Sequence, residues 1–93
     1  MAISLYKKML EVWGEEAQVL KACEELAELQ QAIVKQVQKG RWKKRVTEEI
    51  ADVELMIGQM KYVFGITNKD IKKYKTNKIK KILFRVSKKQ KEK

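Results

Sequence analysis

Proline is absent from all 93 residues, and glycine occurs only four times. These two residues punctuate helices and build tight turns. A chain with so few of them cannot make a turn-rich β-sandwich or barrel. It can make long helices, and 44% apolar residues supply enough side chains for a core. Histidine is also absent, which excludes His-based triads, Cys/His zinc sites and carboxylate–histidine di-iron sites. Cys23 stands alone, so an internal disulfide and a four-cysteine site are excluded too. Its helix position predicts a small buried residue, and a single free thiol suits a reducing, cytoplasmic setting. The start, MAISLYKKMLEVW, does not read as a signal peptide. No stretch approaches the roughly 18 apolar residues of a membrane span.

The apolar spacing predicts three or four helices in an all-α bundle. A short helix capped by Ser4 runs over 5 to 12 or 13, and Gly14 breaks it. A second helix runs to Lys39 with an apolar stripe of Val19, Ala22, Cys23, Leu26, Leu29, Ile33 and Val37. Gly40 ends it, and residues 41–45 form a basic connector containing Trp42. Thr47 caps a third helix whose apolar face is Ile50, Val53, Met56, Ile57, Met60 and Phe64, with Gly65 as its stop. Thr67 and Asp70 match a capping box for a last helix bearing Ile71, Tyr74, Ile79, Ile82, Leu83 and Val86. The division expected is one domain over 1–86 and a basic, frayed tail over 87–93. A chain this short buries a limited fraction of its surface, so sharing a core with further copies, as a homodimer or homotetramer, is expected.

Charge is divided along the chain. Residues 1–54 hold nine basic and ten acidic side chains, whereas residues 55–93 hold thirteen basic and two acidic. The acids cluster in two near-identical hexapeptides, EELAEL at 24–29 and EEIADV at 48–53. Glu25 and Glu28 share one helix face, as do Glu49 and Asp52. With Leu26, Leu29, Ile50 and Val53 packing the two helices, the four carboxylates converge at the edge of the interface. Like charges that close repel, and a divalent cation reverses the penalty. With oxygen ligands alone, the chemistry suits Mg²⁺, with Mn²⁺ as the alternative. Each pair taken singly also reads as an ordinary solvated helix face.

Paired as they are, the motifs resemble the MazG-like all-α nucleoside triphosphate pyrophosphohydrolases. An ExxE on one helix precedes an ExxD on the next. WGEEAQVLKACEELAELQQAI at 13–33 and EEIADVELMIGQMKYVFGI at 48–66 look like the two motif helices of small phage-type members. KYKTNKIKKILFR at 73–85 is similar to the C-terminal helix, where a lysine and an asparagine recur. The likeness spans Trp13 to Arg85. It implies hydrolysis of a nucleoside triphosphate, often a deoxynucleotide, to a monophosphate and pyrophosphate. It also implies Glu25, Glu28, Glu49 and Asp52 as metal ligands. Glu24 and Glu48 would join Glu25 and Glu49 in the catalytic group, holding metal or orienting water.

Further residues acquire roles from the same likeness. Trp13 and Gln18 sit where the family approaches the base, by stacking and by an edge hydrogen bond; the plainer alternatives are a core-edge tryptophan and a surface amide. Lys21 is placed either for a phosphate or for an i,i+4 pair with Glu25. Lys75, Asn77 and Lys78 match the basic C-terminal motif and would contact phosphate. Trp42 is left between covering the site and packing on a partner chain. The strongly basic linker and lysine-rich end depart from what a nucleotide pocket needs. They leave room for a non-enzymatic basic helical protein binding nucleic acid through residues 55–93; a third reading is a structural helical oligomer whose acids are only solvated faces.

Overall fold

The computed structural model describes the backbone of residues 2–92 and the side chains of residues 4–92. Met1 and Lys93, the last residue of the expected tail, lie outside the described residues. The chain is all-helical: α1 (Ala2–Lys39), α2 (Lys43–Phe64) and α3 (Asn68–Lys91), with no strand among the described residues.

Local chemistry sets most of the boundaries. Gly14 adopts φ 83°, ψ 163°, so the backbone leaves helical geometry there and α1 is kinked where the sequence predicts a break. Such a conformation is open to glycine and costly for a residue with a Cβ. Gly65 closes α2 in the left-handed conformation, its N–H directed at the last-turn carbonyls. The capping box of α3 forms as expected. Asp70 N donates to Thr67 Oγ1 at 3.1 Å, and Thr67 N donates to Asp70 Oδ2 at 2.9 Å. Two caps differ from expectation. Ser4 lies inside α1, which starts at Ala2. Thr47 lies inside α2, which starts four residues earlier; its hydroxyl donates to the Lys43 carbonyl at 2.8 Å instead of capping. A hydroxyl can serve either purpose, and an uncapped first turn lets the helix begin at the glycine-made corner. α3 also runs past residue 86 without interruption.

α1 and α2 pack as an antiparallel hairpin; α3 lies against it at its first turn, where Ile71 lines an apolar groove with Leu26, Val53 and Ile57 and Lys61 Nζ donates to Asn68 Oδ1, and its remaining turns do not pack on either helix. The radius of gyration is 17.1 Å, against about 12 Å for a compact domain of this length. No residue of α3 is buried, and Ile71 in its first turn is half-buried.

The hairpin seam overturns part of the expected core. Its buried members are Gln18, Ala22, Glu25 and Ala32 of α1, facing Glu49, Val53, Met56 and Gln59 of α2. Half-buried Leu29 and Met60 continue the alternating four-and-three spacing of a coiled-coil seam. Leu26 (51% exposed), Ile33, Val37, Ile50, Ile57 and Phe64 are exposed instead, and so is Cys23. The reason is angular. An apolar stripe covers a broad arc, but two helices bury only the narrow line between them. Here that line passes through the motif carboxylates, and the large aliphatics flank it.

Tyr6 anchors the N-terminal end. Its buried ring lies against Gly58, where any Cβ would collide with it. Gln59, fully buried, donates to the Tyr6 carbonyl at 3.4 Å.

Candidate metal centre and its surroundings

Glu25 and Glu49 face each other across the seam because the hexapeptides occupy matching positions on antiparallel helices. Each carboxylate lies four residues after a cation on its own helix. Lys21 Nζ reaches Glu25 at 3.1 Å, and Arg45 Nη2 reaches Glu49 at 2.9 Å. Glu49 is 2% exposed and Glu25 7%. One pairing leaves each carboxylate with its Oε2 buried and without a hydrogen-bond partner. An unpartnered buried polar oxygen costs about 1–3 kcal/mol, and more when charged.

Glu25, Glu49 and the exposed Asp52 offer one oxygen each, all within 4.8 Å of one another. This is a donor set that could hold a metal ion. Oxygen ligands at that spacing fit a hard divalent cation. Glu28 stands beside the group. Its pKa is raised, chiefly by the charge of Glu25, then by partial burial and by the charges of Glu49 and Glu24. The ammonium of Lys21 is held charged by its hydrogen bond to Glu25 and the charge of Glu24, which raise its pKa. Glu24 and Glu48 are exposed on the same side of the hairpin as Glu28 and Asp52.

Other sequence candidates fall into two groups. Trp13, Gln18 and Lys21 line one apolar-walled groove of about 390 Å³ together with Met9, Ala17 and Met56. In it Trp13 is exposed, and Gln18 is buried with its Oε1 unpartnered. Lys21 makes the i,i+4 pair. Lys75, Asn77 and Lys78 are exposed on the part of α3 that does not pack on the hairpin. Within one chain they are not brought to the carboxylates.

The structure also gathers residues that spacing alone did not assign to a site. Arg41, Trp42, Lys44 and Arg45 form one wall of an open groove of about 580 Å³, and Glu28, Gln31, Ala32 and Glu48 form the rest. The signal was present as a basic connector between the acidic motifs. Its closeness to the carboxylates depends on the hairpin turning back at Gly40, which periodicity does not specify.

No protein-family model, curated protein or solved structure matches this chain.

Proposed function

We propose that the protein is a Mg²⁺-dependent nucleoside triphosphate pyrophosphohydrolase of the MazG-like kind, converting a (d)NTP to a (d)NMP and pyrophosphate. The observation that carries this reading is the three-carboxylate cluster whose two buried members each keep an unpartnered oxygen. Mg²⁺ held there by Glu25, Glu49 and Asp52, with Glu28 alongside, would neutralise the triphosphate and polarise its α-phosphorus. Mn²⁺ suits the same donors.

The chain's own groups supply the rest. Exposed Glu24 and Glu48 are free to orient the attacking water and take its proton, so histidine is not required. The Trp13–Gln18–Lys21 groove offers an aromatic face and a buried amide oxygen to a base. The exposed aliphatics of the hairpin are covered in a homodimer or homotetramer, and Lys75, Asn77 and Lys78 reach phosphate from the α3 arm of a second copy.

The test is pyrophosphate release from the four dNTPs, dUTP and the NTPs, with Mg²⁺, Mn²⁺ or EDTA. Turnover that requires metal and vanishes in Glu49→Gln supports the reading. No turnover in a folded, helical sample overturns it.

A second reading has its own observation. Beyond its first turn α3 does not pack on the hairpin, and the helix presents eleven basic side chains against one acidic. A helix of this kind would hold nucleic acid through its phosphates. Binding to DNA or RNA that weakens steeply with salt and survives Glu49→Gln would favour it.

A further inference from the structure

We infer that the groove beneath the α1–α2 connector is a polyphosphate-binding subsite, with Arg41, Lys44 and Arg45 as the cations that hold the anion. The inference deepens the nucleotide reading above, on which it rests for the identity of the substrate.

Three cations and an indole converge on one concavity that shares Glu28 and Glu48 with the carboxylate face. Arg45 joins the two. It lines the groove, and it holds Glu49, whose second buried oxygen has no partner. A phosphate chain in the groove would therefore lie next to the metal donors.

The charges are arranged against the helix rather than for it. The first turn of α2 is Lys43, Lys44 and Arg45, and it contains no acidic residue. The start of a helix carries a partial positive charge and prefers carboxylates. Trp42 occupies the cap position without a side-chain cap hydrogen bond. Positive side chains crowded on a positive helix end repel one another, and an anion there removes the repulsion and meets the free N–H groups. The corner is held by local geometry. Gly40 and Arg41 both adopt positive φ, 71° and 63°. Trp42 N donates to Gln36 Oε1 at 2.6 Å, and the Lys35 ammonium sits 5.1 Å above the Trp42 ring. The tasks are separate in this arrangement: the basic wall of the groove binds phosphate, and the neighbouring carboxylates Glu25, Glu49 and Asp52 hold the cation that accompanies it.

The competing destination for an anion is α3, whose lysines attract phosphate without any built site. The experiment separates them. Inorganic tripolyphosphate is titrated calorimetrically into the full chain with EDTA present, at about 0.15 M salt, where surface attraction is screened beyond about 8 Å. Wild type is compared with Arg41→Gln/Lys44→Gln and with Lys80→Gln/Lys81→Gln, which removes the same charge from α3. Helicity of each is checked by circular dichroism.

The groove variant is expected to bind about tenfold or more weakly, as the loss of one or two charge-assisted hydrogen bonds implies. The α3 variant is expected to change less than about threefold. Equal losses in the two variants, or no binding by wild type, would overturn the inference. The outcome does not depend on turnover. If wild type hydrolyses nucleotides and the groove variant keeps its KM, the subsite falls and the enzyme reading stands. If no nucleotide is hydrolysed and tripolyphosphate affinity is lost only in the groove variant, the enzyme reading falls and the subsite stands.

Discussion

The two flanks of the α1–α2 hairpin use the same helices for opposite purposes. One flank carries Glu24, Glu28, Glu48 and Asp52 beside the buried Glu25 and Glu49. The other carries Leu26, Ile33, Ile50 and Ile57, all exposed although aliphatic. Spacing explains how both arise. On antiparallel helices, equal angular offsets from the seam in the same rotational sense fall on the same side, so the outer carboxylates of both motifs share one flank and their aliphatics the other. The acidic flank buries charge that a cation can neutralise. The apolar flank exposes surface that another apolar surface can cover. A hairpin built for its own stability would turn the aliphatics inward and the carboxylates outward. This one turns carboxylates inward, which costs a single chain stability unless something satisfies their buried oxygens.

The largest effect is expected at Glu49. Glu49→Gln keeps the shape and the Arg45 contact but removes a charge. Metal-dependent pyrophosphate release is expected to fall by about 100-fold or more, as when a group acting on the transition state is lost, while helicity is retained. A variant as active as wild type would leave the acidic flank without a catalytic role.

The apolar flank is tested by adding charge to it. Leu26→Lys/Ile57→Lys touches positions that are already about half exposed in one chain. For a bare face such changes alter stability by less than about 0.5 kcal/mol each. For a covered one they dissociate the assembly, and sedimentation velocity would then report an 11.0 kDa particle. Identical sedimentation of variant and wild type would show that this flank is not an interface.

Metal acts on the acidic flank alone. Mg²⁺ or Mn²⁺ at 100 times its Kd is expected to stabilise the fold by about 2.7 kcal/mol, read as a rise in melting temperature over EDTA. Glu28 sets the direction with pH. Its folded pKa is raised above the ordinary 4.5, chiefly by Glu25. Without metal, its contribution therefore favours the fold at low pH and is lost as pH rises from 4.5 through the raised value. The metal-dependent rise in melting temperature should accordingly grow over that window. A rise that is flat with pH would separate Glu28 from the ion.

Gly58 tests the packing that closes the end of the hairpin. In Gly58→Ala the new methyl meets the Tyr6 ring. Overpacking costs about 1–3 kcal/mol, offset by about 1 kcal/mol of helix propensity. The net effect in urea denaturation is a modest loss. In a Tyr6→Ala background the same substitution should become stabilising. Failure of that reversal would show that the contact with Tyr6 does not constrain Gly58.

The smallest effect is at the start of α3. Thr67→Ala is expected to cost about 1 kcal/mol of local helix stability. Asp70 has a lowered pKa because the Thr67 N–H and hydroxyl donate to it. Its contribution is present above the ordinary 3.8 and is lost as pH falls through the lowered value. Circular dichroism should show helicity declining over that range, and less so in Thr67→Ala. α3 thus depends on its own cap, whereas the hairpin depends on packing.

Residue order alone establishes that the chain is helical, where it bends at Gly14, where α2 stops at Gly65 and how α3 begins. Those features depend on residues adjacent in the chain, namely the conformational range of glycine and the reach of a short side chain to a neighbouring N–H. It also determined that Glu25 and Glu28, and Glu49 and Asp52, lie on single faces, because a helix fixes the angle between residues three apart.

Which part of each apolar stripe is buried follows from helix packing instead. Ala22, Val53 and Met56 went into the seam, and Leu26, Ile33 and Ile50 did not, because the contact line between two helices is narrower than the stripe. Only the hairpin's register placed Glu25 opposite Glu49 and left one oxygen of each unpartnered. Only the corner at Gly40 and Arg41 carried the basic connector round to the carboxylates. Each of these depends on how one helix is set against another, and no interval along the chain specifies that.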